Sequence, residues 1–253
     1  MPRIAHMLSL LSLLLTTIPA MAADQRDPQC LRQGYETAAR DWVDDPDEMA
    51  QIAATNGRVL RIRNALILNI LRAPAETFLD HVNVDEETSD CSSMDNATYR
   101  LLGIAGQHAL IENTGYEYVG LLLVNMITGR KYDTSALNAP VSPGGRYLVP
   151  MPSGIGFDPD FAVYDLAGRL KTATFVGYSS GFEAAVWTDP HTALVTLQGN
   201  NGMTDATLTI DGDQARLKIA DTGQVIAATF GPPPYFPAPF PLINNGKNPW
   251  EDE

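Results

Sequence analysis

The sequence predicts a mainly β protein of propeller-like antiparallel blades, with a short N-terminal helical segment and a proline-rich C-terminal tail. Three observations predict it. From Arg58 onwards, just after the Asn56-Gly57 turn, short apolar runs recur around turn signals such as Gly106 and Thr128-Gly129. Residues 120–153 read as strand, tight turn, strand, then a second turn at Ser142-Pro143-Gly144-Gly145 and a third strand at Tyr147-Leu148-Val149. Finally, an apolar run followed by a polar residue, a Gly turn and an Arg occurs over residues 121–130, again over 161–169, and more faintly over 217–224. The turn glycines Gly129, Gly168 and Gly223 lie 39 and 55 residues apart, the longer gap containing the Gly199-Asn200-Asn201-Gly202 loop. A unit of about 40 to 45 residues with several strands is the period of a propeller blade.

Taken in order, residues 1–22 have the layout of a secretory signal peptide. Arg3 supplies the positive start, residues 8–15 the apolar stretch, and Ala20-Met21-Ala22 the small-residue cleavage site. No Cys follows the apolar stretch directly, so a lipoprotein anchor is not expected, and the mature chain is expected to be periplasmic or secreted without membrane insertion. Residues 23–57 form the helical segment. Cys30, Tyr35 and Trp42 with the alanines between them make one amphipathic face, Asp44-Asp45-Pro46-Asp47 interrupts it, and Asp47 is expected to cap a second short helix through Ala54.

Residues 58–230 form the β domain. Val59, Leu60 and Ile62 lead into Ala65-Leu66-Ile67-Leu68 and then Thr77-Phe78-Leu79; after a polar, acidic loop over residues 85–96, two strands flank Gly106. Asn96-Ala97-Thr98 matches a glycosylation sequon, which matters only in a eukaryotic secretory route. Residues 231–253 form the tail. Over residues 231–241, GPPPYFPAPFP, prolines alternate with Tyr235, Phe236 and Phe240, a composition that favours polyproline II and cannot donate to a sheet ladder. It suits either a strap over the chain's own domain or a docking arm.

At Val141-Ser142-Pro143-Gly144-Gly145-Arg146-Tyr147-Leu148-Val149 the chain resembles the S-P-D-G-K/R motif of TolB-like and other WD-related propeller repeats. Leu122-Leu123-Val124-Asn125 with Thr128-Gly129-Arg130 is similar to the strand and turn that precede that motif. Gly144 stands where the family has Asp, and Trp187-Thr188-Asp189-Pro190 with Ala193-Leu194-Val195 resembles a degenerate second copy. The resemblance covers residues 99–197 and implies a partial propeller of the kind carried by small exported proteins. It implies no particular activity, because propellers host binding modules and enzymes alike.

Composition narrows the partners. A net charge of −13 argues against a nucleic-acid partner, since neutralising phosphates takes Lys and Arg. The two cysteines, Cys30 and Cys91, are expected to form a disulfide in an oxidising compartment, or else to stay as two buried thiols. Closing a loop of about 60 residues would restrict the unfolded chain by roughly 4 kcal/mol.

Motifs for chemistry are weak. Gly177-Tyr178-Ser179-Ser180-Gly181 matches the nucleophile-elbow pattern, yet no helix is expected after it and the one downstream His is His191. His81, His108 and His191 are isolated from one another in sequence and lack metal-ligand spacing. Asp211-Gly212-Asp213 reads as a hairpin turn rather than a calcium loop. No catalytic, cofactor-binding or metal residue is assigned and no cofactor is expected. The function expected is a non-catalytic binding or scaffolding protein of the cell envelope, whose strand-connecting loops recognise an envelope protein or a small ligand. The alternative is a secreted hydrolase whose residues are scattered in sequence.

Overall fold

The computed structural model describes residues 44–81, 97–115, 118–134, 136–152, 161–175, 181–199 and 202–233. Residues 1–22, both cysteines, Ser179 and nearly all of the tail lie outside these residues. The first element is a nine-residue helix, α1 (Pro46–Ala54). Its cap is Asp45 rather than Asp47: the Asp45 carboxylate accepts from the N–H groups of Asp47 at 2.8 Å and Glu48 at 3.2 Å. Pro46 explains the shift. It has no N–H to satisfy and a φ already suited to the first helical position, so the acid just before it reaches the next free donors. Asn56 and Gly57 then turn the chain with φ of 52° and 79°.

Seventeen strands come after it among the described residues, mostly as meanders in chain order. The first sheet is β1 (Val59–Ile62), β2 (Ala65–Leu68) and β3 (Glu76–Leu79). The second is β4 (Ala97–Ala105), β5 (His108–Gly115), β6 (Tyr118–Asn125) and β7 (Lys131–Thr134). Next come β8 (Ala136–Asn138), β9 (Tyr147–Leu148), β10 (Met151–Pro152), β11 (Ala162–Asp165) and β12 (Lys171–Thr174). Of these, β9, β11 and β12 form a three-stranded sheet in the order β12-β11-β9, while β10 pairs only with β8. The last sheet runs in order through β13 (Phe182–Asp189), β14 (Thr192–Gly199), β15 (Gly202–Asp211), β16 (Gln214–Ile219) and β17 (Val225–Thr229). Every pairing is antiparallel.

The sheets lie face on face in sequence order, and the buried side chains show it. Val59, Leu66, Leu68 and Phe78 of the first sheet meet Leu101, Ala109, Ile111, Leu122 and Val124 of the second, with Ile52 of α1 at the margin. The opposite face of the second sheet, through Leu110, Leu121 and Leu123, meets Leu148, Ala162 and Tyr164 of the third. The third sheet's other face, through Tyr147, Val163 and Ala173, meets Phe182, Val195, Leu197, Leu208 and Leu217 of the last. The unbroken run Leu121-Leu122-Leu123-Val124 is thus a strand buried on both sides, its alternate residues feeding two different cores. β16, with only one face covered, alternates buried and exposed along its length.

A bulge lets β4 serve both cores. Its register shifts between Leu101 and Gly103, where Gly103 takes a φ of 148°. Before the shift Leu101 faces the first sheet; after it the phase inverts, so Ile104 faces that sheet and Ala105 faces the third. Strict alternation would have put Leu101 and Ala105 on one face.

Charge is also buried between the first two sheets. Arg61 of β1, its side chain 2% exposed, donates to Glu48 of α1 at 2.7 Å and to Asp80 at 3.0 Å, and also to the Tyr99 carbonyl. Glu48 and Asp80 each accept one further backbone N–H, from Leu101 and Tyr99 respectively, both at 2.8 Å. Burial pushes the Asp80 carboxyl up to about 6, against the pull of Arg61. The network ties the helix and the two sheets together. Among the described residues no helix is long and apolar enough to cross a membrane, and the sheets do not close into a ring.

Candidate functional site

The functional candidate is the end of the stack where turns from successive sheets meet. Gly106 and Gln107 (β4 to β5), residues 126–130 (β6 to β7), residues 142–146 (before β9) and residues 166–170 (β11 to β12) are joined there by backbone hydrogen bonds. Gln107 N–H donates to Leu166 O at 3.0 Å, Met126 N–H to Gln107 O at 2.8 Å, and Leu166 N–H to Arg146 O at 2.7 Å. The connector after β2 joins them, Leu71 and Arg72 donating to the carbonyls of Met126 and Ile127 at 3.0 and 2.9 Å.

Asn125 organises the β6–β7 turn. Its Oδ1 accepts from the N–H groups of Ile127 and Thr128, both at 3.0 Å, and its Nδ2 donates across to Gly168 O at 3.1 Å. The same Nδ2 lies 3.3 Å from Nε2 of His108, whose Nδ1 lies 3.2 Å from Leu166 O. A carbonyl only accepts, so the proton belongs on Nδ1, and Nε2 accepts from Asn125. Burial holds His108 below its ordinary pKa and therefore neutral. Fully buried and engaged at both nitrogens, it braces two sheets and has no ring nitrogen left for proton transfer.

Arg146 stands at the rim, its side chain 49% exposed. It holds Asp165 through two bonds, Nε to Oδ1 at 3.2 Å and Nη2 to Oδ2 at 3.0 Å, and its guanidinium lies 4.9 Å from the Tyr147 ring centre. Around Tyr147 gather Trp187 at 6.4 Å, Phe230 at 5.9 Å and His191 at 5.8 Å between ring centres. Trp187 spends its N–H on Pro140 O at 3.0 Å. Arg72, Arg130 and Arg169 are likewise exposed on the joined turns. Four arginines therefore gather at one end of a chain whose net charge is −13. At this end the histidine is fully buried and the arginines stand at the surface.

The residues singled out in the sequence fall elsewhere or outside. Cys30, Cys91 and Ser179 lie outside the described residues. The next element after Ser179 is strand β13 and not the helix a nucleophile elbow requires. His191 sits in the exposed β13–β14 turn, where its N–H donates to the Asp189 carboxylate at 2.8 Å. His81 is buried in a bridge to Ala97. Asp211-Gly212-Asp213 forms the β15–β16 hairpin turn, with Gly212 at a φ of 60°. Among the described residues no three His, Cys, Asp or Glu side chains gather as a metal would need. Sequence reasoning does not reach the pairing of Arg146 with Asp165. Its one sequence signal is that Asn125 and Asp165 each close an apolar run ahead of a Gly and an Arg. No protein family, curated protein or solved structure matches the chain.

Proposed function

We propose that the protein is an exported, non-catalytic binding module of the cell envelope, and that its joined turns recognise an anionic partner through Arg72, Arg130 and Arg169, beside Arg146 that Asp165 holds in place. The observation that carries this reading is the gathering of exposed arginines on turns bonded to one another, which fixes the spacing of their backbone positions without any ligand. Export rests on the signal-like residues 1–22 alone. The succession of antiparallel meanders packed face on face in chain order supports reading the architecture as an open, partial propeller, whose loop end is the usual recognition surface of such folds. A small acidic ligand and an acidic protein segment share the chemistry.

A pull-down from native envelope with the mature protein as bait, eluted by a salt gradient, tests the reading. The expected result is a partner released progressively as salt rises, because exposed charge pairs are screened. Capture that ignores salt and survives neutral substitution of Arg130 and Arg169 would remove the basis for it.

A further inference from the structure

The outer face of the first sheet is an apolar surface without a cover among the described residues. Two cross-strand rows make it, Leu60, Ile67 and Thr77 in one and Ile62, Ala65 and Leu79 in the other. None of the six is charged, and Leu60, Ile62 and Leu79 are 41%, 59% and 41% exposed. The outer face of the last sheet differs, since its exposed Val186, Leu194 and Val225 are interspersed with Thr207, Arg216 and Lys218. A sheet face without charge, whose one polar group is the Thr77 hydroxyl, is built to be covered.

We propose that residues 23–43 cover this face, laying Leu31, Tyr35, Ala39 and Trp42 across the two rows. Three features favour this segment over the rest of the chain outside the described residues. Its apolar residues recur at steps of 4, 4 and 3, the spacing of one helical face. It runs directly into Asp44 and α1, which packs at the margin of the first sheet through Ile52. Residues 82–96 are acidic and polar, and the tail leaves from Gly231, bridged to Thr172 of the third sheet, which the second sheet separates from the first. The sizes match as well. A helix over residues 31–42 would be about 18 Å long, against a face of three strands roughly 10 Å across and about 13 Å long. The expected Cys30–Cys91 bond would tether the segment to the connector that leaves β3 at His81 and returns at Ala97, positions that bridge each other.

A double-mutant cycle on the oxidised mature protein tests this, with Trp42→Ala, Ile62→Ala and both together followed by melting temperature and light scattering. Each single change should lower the melting temperature by several degrees, and the pair should lower it little beyond the larger single, because both delete one contact. A second cycle with Tyr35→Ala and Leu60→Ala keeps the test standing if one variant fails to fold. Additive shifts in the cycles, or no shift for Trp42→Ala, would overturn the proposal. So would a wild-type dimer that Ile62→Ala dissociates, since a second copy would then be the cover.

Discussion

A Cβ placed on Gly106 would lie 2.4 Å from the Leu166 carbonyl oxygen, at a φ of 54°. Neither the backbone approach nor the conformation leaves room for a side chain, because the β4–β5 turn is clamped there to the third sheet at Leu166. Gly106→Ala should therefore destabilise by more than about 2 kcal/mol in urea unfolding, whereas Gly144→Ala, with open space around it, should suffer only the strain of its positive φ. Two titrating groups make opposite predictions about acid. Unfolded Asp80 ionises near 3.8 while the folded carboxyl keeps its proton up to about 6, so this residue lowers stability as pH rises through that window. Folded His108 titrates below 6.5, so the unfolded chain takes up that proton first and stability falls as pH drops below 6.5. Melting curves across this range should decline more steeply on acidification for Asp80→Asn and more gently for His108→Gln. Parallel profiles for wild type and both variants would contradict the assignment.

At the scale of elements, the strongest repeat is the one the letters hide. The 125–130 and 219–224 turns share their bonds: Gly129 and Gly223 donate to Asn125 O and Ile219 O at 2.8 and 2.9 Å, and Arg130 and Gln224 accept from Asn125 and Ile219 at 2.8 and 2.9 Å. The more similar sequence over residues 161–169 makes a different turn, in which Asp165 accepts from Ala167 at 3.0 Å and Gly168 does not take a positive φ. Turn type follows from where a left-handed residue is needed, and a Gly in the sequence does not say whether it is used. The strands around Gly106 and Thr128-Gly129 were legible, because apolar runs bounded by Gly, Asn and Pro leave few alternatives, whereas β13, β15 and β17 of the last sheet were not read as strands. The β4 bulge was not, since nothing local in Leu101-Leu102-Gly103-Ile104 states which of two cores each residue feeds. Nor was the site, because Arg146, Asp165, His108 and Asn125 meet only through turns far apart in sequence. Asn125→Ala removes acceptors for two N–H groups and the donor to Gly168, and should cost about 1–3 kcal/mol by the same unfolding measurement. The base of the tail is anchored to the third sheet: Gly231 and Thr172 exchange two backbone bonds of 2.9 Å, and Phe230 stacks on Tyr147. Truncation after Phe230 removes that bridge and should lower the melting temperature by several degrees.

Across the whole molecule, middle sheets buried on both faces make each layer depend on the next, so the described residues should unfold as one cooperative unit rather than sheet by sheet. Backbone bonds between turns from separate sheets hold the positions of these arginines together, and they connect the packing to the proposed recognition. The most direct measurement compares two neutralised variants in salt-gradient capture from native envelope. One is Arg130→Gln with Arg169→Gln on the joined turns; the other is Arg216→Gln with Lys218→Gln on the outer face of the last sheet. Both remove the same charge from exposed positions and should melt within a degree or two of wild type. The account predicts that the first variant loses the partner at salt concentrations where wild type and the second variant retain it. Equal retention by both variants, or loss confined to the second, would contradict it.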